Sequence, residues 1–180
     1  FNNFVKKSLN LLNKKNSLEN VKAFIIGSDQ GRVHYKDELV QLIKTHSLED
    51  KLNIAHGLNK MPVAYSIANL VLSSSIEPES FGRVSVEAQS MEKPVLASDI
   101  GGSLETVINN KTGWLFKNND VNDLSEKLEM IIKTEQKVLD LIGKQGRKNV
   151  KENYTRELMV SRTLEILSLI HISEPTRPRS

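Results

Sequence analysis

Along the chain, short apolar runs alternate with stretches whose apolar residues recur at helical spacing. The opening segment reads as a helix, with Phe4, Val5, Leu9 and Leu12 apolar on one side. VKAFII at 21–26 is apolar on both faces of an extended chain, as a buried parallel strand is, and Gly27 stops it. Residues 35–44 follow as an amphipathic helix carrying Leu39, Leu42 and Ile43 inward, and residues 52–55 make a short strand ended by Gly57. The pattern then repeats. Pro62 sits where the first turn of a helix tolerates it, residues 63–67 form a brief helix, and NLVLS at 69–73 supplies the next strand. Residues 82–92 predict a helix with Val84, Ala88 and Met91 on its inner face, and KPVLAS at 93–98 returns as a strand that Pro94 can open. A short helix at 104–108, an NNKTG turn, a strand at 113–116 and helix from Asp120 onward complete the reading. Strands separated by crossover helices predict an α/β fold: a Rossmann-like parallel sheet with helices on both faces. Such sheets bind ligands at the carboxyl ends of their strands.

Composition narrows the chemistry. At 180 residues, 38% hydrophobic and 26% charged, with a formal charge of +3, the chain has the profile of one globular domain. It has no cysteine, which removes disulfides, thiolate nucleophiles and cysteine metal sites together. The four histidines (His34, His46, His56, His171) lack paired metal-ligand spacing, so no metal is expected. Lysine and glutamate are mixed on the helical segments rather than gathered into a basic stripe with interleaved aromatics, which argues against nucleic acid as a partner. The Lys6, Lys7, Lys14, Lys15 cluster reads as a solvated helix surface, with attraction to anionic lipid as the weaker alternative. No apolar run reaches the roughly 18–20 residues that span a bilayer. The first residue is Phe1 rather than methionine, and further sequence is expected before it. LSLIHISEPTRPRS at 167–180 holds two of the five prolines and no lysine, and resembles the translation of a sequencing-library adapter. The expected division is a domain at 1–166 and a non-native tail at 167–180.

The most informative stretch is SSSIEPESFGRVSVEAQSMEKPVLASDIGGSLETV at 73–107, which places polar residues and glycines where strands should end. Glu79 precedes a predicted helix start at Phe81 and Gly82, and Glu87 falls in that helix's second turn, about 7–8 Å further along the axis at about 1.5 Å per residue. The helix start presents unpaired N–H groups and the positive end of the macrodipole, which suits a diphosphate, and Gly82 has no side chain to keep that ligand away. Carboxylates accept hydrogen bonds from hydroxyls rather than hold phosphate. Acids flanking a phosphate cradle therefore suggest sugars on both sides of a diphosphate, as in a nucleotide sugar.

ESFGRVSVEA, followed by KPVLAS, GGSLE and KTGWLF, resembles the C-terminal, nucleotide-sugar-binding domain of the glycosyltransferase 4 family, which has the GT-B fold. The similarity spans nearly all of residues 3–166. GSDQGR and SIEPESFGRVSVEAQ are similar to alphaproteobacterial members that build lipopolysaccharide or other envelope glycans. The resemblance implies a retaining transfer of a hexose from a nucleotide-diphosphate sugar to an envelope lipid or polysaccharide, with no metal and no cofactor beyond the donor substrate. It assigns Glu79 to the donor hexose as the catalytic position and Glu87 to the ribose hydroxyls. Ser80, Phe81, Gly82 and Arg83 then line the diphosphate. In that family an arginine and a lysine near the domain's first strand neutralise the diphosphate, and a preceding domain binds the glycan or lipid-linked acceptor. This chain has no residue to inherit those roles, so the piece alone is expected to be inactive and its parent to work in the cytoplasm or at the periphery of the inner membrane.

Rival readings remain open at this point. A GT-B sugar-nucleotide epimerase would share the donor site, and a non-catalytic nucleotide-binding fragment would share the fold. A phosphoacceptor receiver domain shares the architecture but needs an acidic cluster after its first strands, which is missing. Gly27, Ser28 and Asp29 follow a strand, yet GSDQGR is not GxGxxG and reads as a turn; His56 and Gly57 sit at another strand end and read as packing. Gly101 and Gly102 are expected to form a strand-to-helix turn, with Glu105 in a structural hydrogen bond.

Overall fold

The computed structural model describes residues 3–15, 17–27, 33–55 and 60–173, without the side chains of residues 3, 4, 33, 35 and 169–173. Among these residues the order is α1 (Asn3–Lys14), β1 (Ala23–Ile26), α2 (Val33–Thr45), β2 (Leu52–Ala55), α3 (Met61–Ile67), β3 (Val71–Ser73), α4 (Arg83–Ser90), β4 (Val95–Ser98), α5 (Ser103–Thr106), β5 (Trp114–Phe116), α6 (Val121–Ile132), α7 (Gln136–Asn153) and α8 (Arg156–Ser173). Each strand pairing is parallel. The predicted α/β alternation is thus what the chain adopts. The ladder, however, is not one continuous sheet: β1 pairs with β2, and β3, β4 and β5 form a second sheet in that order. Consecutive strands β2 and β3, joined through α3, do not pair with each other.

The core explains why both ladders belong to one body. Val5, Leu9 and Leu12 of α1, Leu52 of β2, Leu96 of β4, Phe116 of β5 and Leu124 and Leu128 of α6 form a single apolar cluster, with Ile25 and Leu72 packed against it. The helical spacing of Val5, Leu9 and Leu12 lays α1 along α6, and Ser8 Oγ donates to the Val121 carbonyl at 2.9 Å. A second cluster of Tyr65, Ala88, Val95, Ala97 and Val107 covers the other face. Successive residues of a strand point to opposite faces, so Leu96 enters the first cluster while Val95 and Ala97 enter the second. β4 is therefore buried on both sides, which is why its sequence is apolar rather than alternating.

The inner face of α4 departs from the apolar expectation. Val84 is exposed, and the buried residues are Ser85, Ala88 and Gln89. The reason is α7, which lies against α4 through Gly143 and Gly146: a Cβ on Gly143 would come 2.0 Å from the Glu92 carbonyl oxygen, and one on Gly146 would come 2.9 Å from Gln89 Cγ. α7 comes this close because it carries glycine at both positions, and Gln89 is buried against Gly146. Gln89 Nε2 uses the contact to donate to the Thr106 carbonyl at 2.9 Å.

Candidate functional site

β3 and β4 run parallel, so the segments that leave them, residues 74–82 and 99–102, meet at one edge. Hydrogen bonds from neighbouring elements hold the first segment. Ser98 Oγ donates to the Ser75 carbonyl at 2.8 Å, Asn118 Nδ2 to the Ile76 carbonyl at 3.1 Å, and the Gly102 N–H to the Glu79 carbonyl at 2.7 Å. Gly101 has φ 58° and lies so close that a Cβ there would be 2.6 Å from the Glu79 carbonyl oxygen. A Cβ on Gly102 would be 2.4 Å from the Phe81 carbonyl carbon. The predicted glycine turn is thus also the platform on which residues 79–81 rest.

α4 begins beside that platform. Its N-cap is Gly82, left-handed at φ 71° and ψ 51°, a conformation that L side chains rarely adopt. No side chain among the described residues caps this helix terminus; the Ser85 N–H turns back to the Gly82 carbonyl at 3.0 Å, and the N–H groups ahead of it are the ones a ligand could take. The macrodipole adds partial positive charge at the same point.

The predicted site residues flank this terminus. Glu79 and Ser80 are exposed on the approach to the helix, and Ser75 Oγ donates to the Glu79 carboxylate. Glu87 lies one turn inside α4, with its side chain 38% exposed. One of its oxygens accepts from Arg83 Nη2 at 3.0 Å and the other from the Tyr65 hydroxyl at 3.0 Å. Arg83, in the first turn of α4, has its side chain 82% exposed. Tyr65 is buried, and burial, then the hydrogen bond and charge of Glu87, push its phenol up to about 12.

Phe81 is half exposed and packs edge-to-face on Tyr154 at the end of α7, with centroids 5.8 Å apart and planes at 71°. The Tyr154 hydroxyl donates to the Glu105 carbonyl at 2.8 Å. The structural hydrogen bond expected of Glu105 is therefore made by its backbone, because α7 ends over α5 and brings a phenol to the carbonyl. Among the described residues, no group of three His, Asp or Glu side chains comes together in a way that could hold a metal ion. Ser28, Asp29, His56 and Gly57 lie outside the described residues.

Sequence reasoning missed Tyr65, Ser75 and Asn118. For Tyr65 a signal existed: a tyrosine on the inner side of a short helix needs a partner for its hydroxyl, and the nearest acidic motif is the one downstream. Ser75 stands only four residues before Glu79, a local spacing; Asn118 carries no such signal, since its bond to the Ile76 carbonyl joins residues far apart in sequence.

The family model described as glycosyl transferases group 1 matches residues 3–149. The capsular polysaccharide biosynthesis glycosyltransferase CapM of Staphylococcus aureus is 36% identical over 81 residues, which is 45% of this chain and 21% of that protein. The crystal structure of a glycosyltransferase from Rickettsia africae ESF-5 superposes with a TM-score of 0.83 at 28% identity, covering 95% of this chain and 44% of that one. That of Anabaena HepE in complex with UDP and glucose superposes with a TM-score of 0.75 at 25% identity, covering 85% and 43%. The chain spans less than half the length of each of these relatives.

Proposed function

The chain belongs to the family of glycosyl transferases group 1, and on that premise we propose that it forms the donor-binding part of an enzyme that moves a hexose from a nucleotide-diphosphate sugar to an envelope glycan or lipid acceptor, with retention of anomeric configuration. The observation that carries the reading is the uncapped start of α4, opened by left-handed Gly82 and flanked by a carboxylate on each side. The N–H groups at Phe81, Gly82 and Arg83 face the diphosphate, and their partial positive charge stabilises the negative charge that develops on it as the glycosidic bond breaks. Glu79 accepts from hydroxyls of the hexose, next to the reacting carbon. Glu87 accepts from the ribose diol, and Ser80 and Arg83 add donors to the phosphates between them.

The relatives support the donor and acceptor classes: one is named for capsular polysaccharide biosynthesis, and another was crystallised with UDP and glucose. In this proposal the acceptor meets the donor through a further domain of the parent, in the cytoplasm or at the periphery of the inner membrane. The reaction needs neither metal nor nucleic acid.

UDP titrated calorimetrically into the chain tests the donor site. Saturable binding that Glu87→Ala weakens is the expected result, with Glu79→Ala leaving UDP affinity nearly unchanged, since it faces the sugar. Equal UDP affinity in the unsubstituted chain and Glu87→Ala would overturn the assignment.

A further inference from the structure

Glu87 carries the ribose end of the proposed site, yet nothing in its own helix fixes it. A glutamate on a half-exposed helix face has several rotamers, and its in-helix partner is Arg83, a long side chain that is itself mostly exposed. An ion pair of that kind between exposed groups four residues apart restrains weakly. Its guanidinium also stands at the helix start where the diphosphate would bind, and phosphate competes for it.

The second partner differs in every respect. Tyr65 belongs to α3, a separate element, and its ring is 5% exposed, packed with Ala88, Val95, Ala97 and Val107. A ring so enclosed cannot follow a moving carboxylate. Its hydroxyl lies 3.0 Å from one Glu87 oxygen and donates to it, because an ionised carboxylate only accepts. The two oxygens together have about four acceptor positions. Tyr65 uses one and leaves the rest of the carboxylate for a diol.

We propose that Tyr65 is the positioning residue of the nucleotide site: from the buried wall between α3 and α4 it pins one oxygen of Glu87, so that the carboxylate stays aimed at the ribose diol when Arg83 turns to the diphosphate. This rests on the donor-site reading above. It assigns Tyr65 no contact with the substrate.

The test compares UDP with 2′,3′-dideoxy-UDP, titrated into the isotope-labelled 180-residue chain and into Tyr65→Phe, with affinities read from amide shifts. The unsubstituted chain should bind UDP more tightly than the dideoxy compound. Tyr65→Phe should weaken UDP about three- to tenfold, the range of one ordinary net hydrogen bond, and leave dideoxy-UDP unchanged, so that discrimination falls. A purely structural tyrosine would weaken both nucleotides alike, and that result overturns the proposal. If the unsubstituted chain fails to bind UDP, or binds both nucleotides equally, the ribose role of Glu87 itself falls, a failure visible before any tyrosine is changed. Phenylalanine preserves the buried ring, and an unchanged amide spectrum away from α3 and α4 checks that the variant folds. As a second measurement, Tyr65→Phe added to Glu87→Gln should weaken UDP less than it does alone; full additivity would also overturn the proposal.

Discussion

Gly102→Ala should separate the platform from the rest of the fold. Gly102 has φ −59° and ψ −18°, which alanine adopts without strain, so the whole effect is steric. The added Cβ would lie 2.4 Å from the Phe81 carbonyl carbon and 2.6 Å from its Cα. Carbon atoms in contact settle at about 3.5–4.0 Å, so residues 79–82 or α5 must move by about 1 Å. Neither is a flexible side-chain tip: both are backbone, and the Gly102 N–H to Glu79 carbonyl bond of 2.7 Å ties them together. Overpacking of this kind costs about 1–3 kcal/mol, and a weakened hydrogen bond about 1 kcal/mol more. For a chain of this length, a total of about 2–4 kcal/mol lowers Tm by about 5–15 °C. A shift of residues 79–82 carries with it the Phe81 and Gly82 N–H groups proposed to face the diphosphate, and a displacement of about 1 Å takes a hydrogen bond out of its usual range. UDP affinity should therefore fall at temperatures where the variant is fully folded. Circular dichroism melts and UDP titration are the assays, with Gly27→Ala as the control, since no described residue lies within 4 Å of a Cβ there. A Gly102→Ala protein that melts within about 2 °C of the parent and binds UDP equally would refute the argument that this glycine sets the site's backbone.

Two further outcomes follow from the packing and the charges. Gly143→Ala sits inside α7, where propensity alone favours alanine by about 1 kcal/mol; the 2.0 Å approach to the Glu92 carbonyl oxygen reverses the sign, and a denaturant midpoint below the parent's checks it. Tyr65 should stay protonated through pH 11, because its native pKa of about 12 exceeds the roughly 10 of an unfolded tyrosine. The sign is that of a raised pKa: the stability it contributes is complete below about pH 10 and is lost as pH rises toward 12. Carbon-detected titration of the tyrosine Cζ resonances reads this directly, and Glu87→Gln should lower the Tyr65 value without returning it to 10, since burial remains; an ordinary Tyr65 titration in the unsubstituted chain would contradict the buried hydrogen bond.

Much of the architecture is legible in the sequence because it depends on local periodicity. The buried parallel strand β4 shows as an apolar run, the amphipathic α1 as Val5, Leu9 and Leu12, and the start of α4 as Gly82 with Glu79 before it and Glu87 after it. The strand follows from an unbroken apolar run, the helix from a period of 3.6 and the α4 start from the demands of a helix terminus, and none needs knowledge of what lies across the molecule. The division of the strands into two ladders does need it, because pairing joins residues far apart in sequence. So does the polar inner face of α4. Gln89 is buried there against Gly146, more than 50 positions away, and Gly143 and Gly146 are what let the α7 backbone come so close. The same holds for the partners of the site. Tyr65 meets Glu87 and Phe81 meets Tyr154 only after β3, β4 and α7 have stacked. Sequence marks which carboxylates stand at the helix start; packing between distant elements decides which side chains hold them, because a hydrogen bond at 3.0 Å depends on the relative placement of whole elements and on no local pattern.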